Sequence, residues 1–94
     1  ANTYVNFLLR RGQDREALAF IDRCAEALQP ETRLILYGSA AAIAERTGSL
    51  GVSEYLDRAR HVAGVGDHRA RLRALFRHLD ARGVLELLEA AAPA

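Results

Sequence analysis

The side chains best equipped for chemistry in this sequence are its arginines. All thirteen basic residues are Arg and none is Lys. A guanidinium presents a planar fork of donors that matches a carboxylate or a phosphate. These residues are unevenly spread. Residues 58–82 hold seven Arg against two acids, a net +5, and also contain His61, His68 and His78. Residues 1–57 hold six Arg against eight acids, and residues 83–94 hold two Glu, so each of these stretches has a net −2. A basic block of this kind attracts an acidic protein segment or a phosphate backbone.

The other reactive residues do not form a recognisable constellation. A metal site needs His, Cys and carboxylates brought together at short spacing, as in HExxH or paired Cys-x-x-Cys. Here the three histidines are scattered and Cys24 is the one cysteine, so no metal and no internal disulfide are expected. Cys24 fits a small core position in a helix. Gly64-Val65-Gly66 precedes a helical stretch, and its backbone N–H groups suit an anion. No Lys-Ser/Thr follows it, so it is a hairpin linker on this reading. No Ser/His/Asp arrangement is evident. The expectation is a protein that is not an enzyme and carries no cofactor.

The chain has 94 residues, 50% hydrophobic, with a formal net charge of +1. That is one domain, too apolar for disorder and too short for a barrel enzyme. No apolar run approaches the ~18–20 residues of a membrane span. No charged and then apolar opening marks a secretory signal, and a cytoplasmic location is expected.

Ala and Leu dominate, Pro occurs only at 30 and 93, and no alternating β-branched run exists. An all-α fold follows. Helix 1 is expected over about Asn2–Arg11, with Asn2 as its cap and Gly12 as its stop. Helix 2 runs from Asp14 to about Leu28, with Ala17, Leu18, Ile21, Cys24, Ala25 and Leu28 at three- and four-residue steps. Pro30 opens helix 3, where its missing N–H costs nothing. That helix reaches Thr47 with Leu34, Tyr37, Ala40, Ala41 and Ala44 inward, and Gly48 ends it. Helix 4 spans about Val52–Ala63. Asp67 caps helix 5, which continues to about Arg82 and is closed by Gly83. Helix 6 covers Val84–Ala91.

Six helices with short connections make three antiparallel hairpins, at about 2–29, 30–64 and 66–92. Gly12, Gly48 and Gly83 are 36 and 35 residues apart, and Ile21-Asp22-Arg23-Cys24 matches Leu56-Asp57-Arg58-Ala59 at an offset of 35. A period near 35 in helical hairpins is the mark of a stacked solenoid. The sequence here resembles the tetratricopeptide (TPR) repeat family. The first hairpin carries that pattern in Gly12, Ala17, Ile21, Cys24 and Pro30, and the second in Gly48, Val52, Leu56 and Ala59. The third keeps only Gly83.

The resemblance implies a short right-handed solenoid whose first helices line a concave groove for an extended peptide or a partner helix. Carried over position by position, that groove holds Asn2, Asn6, Leu9 and Arg10, then Tyr37, Ala41, Ala44 and Glu45. For the third hairpin, a strict 35-residue offset turns Arg71 and His78 inward, which is costly for an unpaired charge. It also puts Arg69 and Arg73 at the two basic positions of the family's carboxylate clamp. A one-residue shift instead turns Leu72, Leu75, Phe76 and Leu79 inward and gives the groove Arg73, Arg77 and Asp80. The expected partner-binding residues are therefore Asn6, Arg10, Tyr37, Arg69, Arg73 and Arg77, and the expected partner is a protein, with an acidic one suited to the arginines. A thin last helix predicts an exposed apolar edge at Val84, Leu85 and Leu88, suited to a partner or to a second copy. The competing expectation is nucleic-acid binding, either by the 58–82 block or by a helix-turn-helix over Ala40–Tyr55.

Overall fold

The computed structural model describes residues 2–90. The side chain of Asn2 and the 91–94 tail, to which a cap, a groove position and the end of the last helix were assigned, lie outside the described residues. Within them the chain is all helix, with no strand: α1 (Asn2–Arg10), α2 (Asp14–Cys24) running into a 3₁₀ turn (Ala25–Ala27), α3 (Pro30–Thr47), α4 (Val52–Arg60), α5 (His68–His78) and α6 (Arg82–Ala90). Consecutive pairs form three hairpins.

α3 is the axis of the fold and touches every other helix. Its burial runs all round the cylinder: Leu34, Leu36, Tyr37, Gly38, Ser39, Ala40, Ala41, Ile43 and Ala44 are all buried. A helix apolar on every side belongs in a core. Small residues let its neighbours come close. A side chain at Gly38 would stand 2.7 Å from a Leu75 methyl and 3.0 Å from a Leu72 methyl, so α5 packs directly on the α3 backbone. Around α3 lie Val5 and Leu8 of α1, Ala17 and Ile21 of α2, Tyr55, Leu56 and Ala59 of α4, Leu72 and Phe76 of α5, and Val84 and Leu88 of α6.

One local motif ends the first helix of each hairpin. A residue in the left-handed conformation follows the helix, and the next N–H reaches back to the carbonyl five residues earlier. Gln13 N–H bonds Leu8 at 2.9 Å, Ser49 N–H bonds Ala44 at 2.9 Å, and Ala81 N–H bonds Phe76 at 2.8 Å. The left-handed residues are Gly12 (φ 73°), Gly48 (φ 69°) and Asp80 (φ 55°). The third stop is therefore Asp80, not Gly83, and helix 5 ends at His78 rather than near Arg82. Asp tolerates this conformation better than most residues do. Gly83 instead lies in the first turn of α6, where the Glu45 carboxylate occupies the space its side chain would take. The structural spacing of the stops is thus 36 and then 32 residues.

Three further expectations are corrected. α4 ends at Arg60, before the expected Ala63, and the linker to α5 is held by His68 Nε2 on the Val62 carbonyl at 2.6 Å. α6 begins at Arg82 and folds back over α3 and α4. Val84 is 0% exposed and Leu88 3%, and Leu85 is half-buried against the core, so the predicted apolar edge does not exist there. The exposed leucine of α6 is Leu87.

Candidate functional site: a cleft on the first-helix side

The hairpin ends create one partly enclosed cleft of about 270 Å³. Asn6 and Leu9 come from α1, Ser39, Ala42 and Ile43 from α3, and Leu79 with Ala81 from the α5–α6 turn. Glu45, Arg46 and Asp80 stand among its walls. The turn at Asp80 makes this possible: α5 stops early and leaves Leu79 41% exposed over the α3 surface. The volume falls just below the ~300–1,000 Å³ of small-molecule sites. It suits one or two apolar side chains of a bound polypeptide. Arg46 is already paired with Asp14 at 3.0 Å. Asp80 meets Arg82 at 3.4 Å, both largely in solvent. Glu45 forms no ion pair among the described residues.

Of the six predicted partner-binding residues, the structure brings only Asn6 into this cleft. Arg10 and Arg77 are exposed outside it, with no ion pair among the described residues. Tyr37 is 5% exposed and lies on the opposite side of α3, so it is a core residue and not a groove residue. Ala41 and Ala44 are buried with it. Arg69 and Arg73 are not free cations. Arg73 Nε donates to Glu89 Oε1 at 2.6 Å, and Arg69 Nη2 donates to Glu89 Oε2 at 3.1 Å. Hydrogen bonding to Arg73, ahead of that to Arg69, holds the Glu89 carboxyl below the ordinary range, and the same contact raises Arg73. These two arginines clasp α5 to α6 within the third hairpin. Of the one-residue-shifted set, Leu72 and Phe76 are buried and Leu75 packs beside them, while Arg71 and His78 are exposed, as that frame requires. Leu9, Ile43 and Leu79 are the large apolar side chains of the cleft, and Leu79 is the most exposed of them. Leu79, which the same frame turns inward, is instead exposed, because α5 ends at His78 and the chain turns at Asp80 directly after it.

A second polar cluster joins the first two hairpins. Tyr55 Oη donates to both Asp22 oxygens, at 2.8 and 3.0 Å. Arg58 reaches Asp22 at 3.4 Å and Glu54 at 3.0 Å, and its guanidinium lies 5.4 Å from the Tyr55 ring centre and 5.9 Å from that of Tyr37. Burial first, then the bond to Asp22, pushes the Tyr55 phenol up to about 12. Burial also raises Tyr37. Asp22 and Arg58, found in the sequence as members of a repeated Asp-Arg pair, thus meet across the α2–α4 contact. The same contact engages the helix that a helix-turn-helix would present: Tyr55 and Leu56 are buried and Arg58 is tied down.

Among the described residues, no group of three or more His, Cys, Asp or Glu could hold a metal ion, and no helix is long and apolar enough to cross a membrane. No protein-family model matches the chain, and no curated protein or solved structure is significantly similar to it.

Proposed function

We propose that this chain is a non-enzymatic protein-interaction module of tetratricopeptide type, acting in the cytoplasm. On this reading its three hairpins form a short right-handed stack. The first helices present a cleft that takes an apolar side chain from a partner's extended peptide or helix. The observation that carries the proposal is the cleft itself, which draws on the first helices of the first two hairpins and on the turn that follows the first helix of the third. The identical turn at residues 12, 48 and 80 supports the repeat character. A concave apolar pocket with a few polar groups at its rim is the default binding-site choice on a small domain.

Panning a random-peptide display library against the chain tests this. The selected peptides are expected to share one large apolar residue and to bind at about 10–100 µM, the range a single anchored side chain supports. The Leu79→Glu variant places a charge in the cleft from an already exposed position, so it folds as the parent does by far-UV circular dichroism. It is expected to lose at least about tenfold in affinity, or ~1.4 kcal/mol. Failure to enrich any peptide, or equal retention by Leu79→Glu, overturns the proposal.

A further inference from the structure

The contact between the first two hairpins has a donor side and an acceptor side. The second hairpin supplies the donors: Arg46 to Asp14 at 3.0 Å, and Tyr55 and Arg58 to Asp22 at 2.8 and 3.4 Å. It adds Ala40 and Ile43, both buried. At 100° per residue these two lie on the side of α3 turned away from Gly38, which abuts α5. The first hairpin supplies the acceptors, both on α2: Asp14 and Asp22.

The donor side recurs in the first hairpin. Aligning Gly12 with Gly48 places Tyr4 on Ala40, Phe7 on Ile43 and Arg10 on Arg46. Aligning Ile21-Asp22-Arg23 with Leu56-Asp57-Arg58 places Phe20 on Tyr55 and Arg23 on Arg58. At four positions apolar matches apolar or arginine matches arginine, and at the fifth Phe20 keeps the ring of Tyr55 without its hydroxyl donor. In the first hairpin no other helix packs over this set among the described residues, although Phe20 is partly buried against the core. Tyr4 is 48% and Phe7 52% exposed, and neither Arg10 nor Arg23 forms an ion pair among the described residues. Arg11 adds a third cation, 5.4 Å over the Phe7 ring. Glu16, four residues before Phe20 on α2, accepts from Gln13 at 3.2 Å.

We infer that the outer face of the first hairpin, Tyr4, Phe7, Arg10, Phe20 and Arg23, is a docking face for an acidic amphipathic helix of another protein. The fitting helix resembles α2: two carboxylates eight residues apart, as Asp14 and Asp22 are, with an apolar residue between them, as Leu18 is. That spacing is about 12 Å along a helix. Charge complementarity selects such a partner. A second copy of this chain does not supply it. Its Asp14 and Asp22 are held by Arg46, Tyr55 and Arg58, and Glu89 is held by Arg69 and Arg73. Stacked nucleic-acid bases fit less well, because the rings already use their faces. Arg11 covers Phe7, and Tyr4 meets Phe20 edge-on with ring centres 4.8 Å apart.

The test is a titration of the ¹⁵N-labelled chain, followed by amide shifts. The probe is a hydrocarbon-stapled, amidated peptide with the sequence of residues 14–28 and Ala in place of Cys24. Its control carries Lys at both Asp positions. Expected are shifts at Tyr4, Phe7, Arg10, Phe20 and Arg23, at least tenfold weaker binding by the control, and a similar loss in an Arg10→Glu/Arg23→Glu chain whose circular dichroism is unchanged. Leu79→Glu should leave this binding intact, which separates the outer face from the cleft. No shifts at millimolar peptide, or an equal response to the control, overturns the inference. So do shifts confined to the cleft, or concentration-dependent shifts of the same amides without peptide. Shifts of these amides by oligo(dT) but not by the peptide assign the face to nucleic acid and also overturn it.

Discussion

Replacing Tyr55 with Phe deletes one oxygen and probes the tie between the first two hairpins. Tyr55 is 9% exposed, and its hydroxyl donates to both oxygens of Asp22. A hydrogen bond to a charged acceptor contributes about 1.5–3 kcal/mol. Asp22 is half-exposed at 49% and keeps Arg58 at 3.4 Å, so the loss belongs near the low end, about 1–2 kcal/mol at neutral pH. Burial of the phenol, and after it the same bond, also gives a pH signature. The phenol is held near 12, against an ordinary value of about 10. The folded chain therefore keeps this proton while the unfolded chain loses it. The corresponding stability is fully present below about pH 10 and drains away as pH rises towards 12, by about 2–3 kcal/mol in all. Tyr37, also raised, acts in the same direction and remains in the variant. Urea unfolding of both proteins, followed by circular dichroism from pH 7.5 to 11, measures both effects. Tyr55→Phe should start about 1–2 kcal/mol lower, and the gap should close above pH 10. A variant as stable as the parent at pH 7.5, or a gap that stays constant to pH 11, refutes the reasoning.

Further consequences are equally open to measurement. Leu88→Ala should cost about 2–4 kcal/mol in urea unfolding, since Leu88 is 3% exposed, whereas Leu87→Ala at 42% exposure should cost under about 1 kcal/mol. Asp80→Gly should stabilise the chain by about 0.5–1 kcal/mol by relieving a left-handed non-glycine residue, whereas Gly48→Ala should destabilise it by about 1–2 kcal/mol. Glu89→Gln should flatten the acid limb of stability. The depressed carboxyl favours the folded state above the ordinary Glu range and loses that contribution as pH falls through its folded value, and only the parent should show this in an acid titration of unfolding.

Most helices were legible because their signals are local. Pro30 at a first turn, Gly12 and Gly48 at left-handed stops, and Asp67 accepting from the Ala70 N–H each act within a few residues. The inward stripe of α3 was only half legible. Ser39 and Gly38 are buried because that helix is surrounded, and no amphipathic period reveals a helix without a polar side. The third hairpin misled for a specific reason. Gly83 is the residue best suited to a left-handed stop, yet Asp80 takes that role. The Phe76–Ala81 bond closes the turn there, and the Gly83 position is needed bare beneath Glu45. That three-residue displacement moved Val84 and Leu88 from edge to core and opened the cleft beside Leu79. Arg69 and Arg73 were chosen for their charge. Their partner Glu89 lies 16 to 20 residues away, a pairing that only the α5–α6 fold-back establishes.

The turn at Asp80 is the hinge of the whole account, because the cleft, the buried α6 stripe and the Glu89 clasp all follow from it. Backbone ¹³C secondary shifts with the HN–Hα coupling across residues 76–84 measure it directly. The structure predicts helical shifts through His78, a left-handed signature at Asp80 and helical shifts again from Arg82. An unbroken helix to Arg82 with the left-handed residue at Gly83 would contradict it, removing the cleft and returning Val84 and Leu88 to an exposed edge.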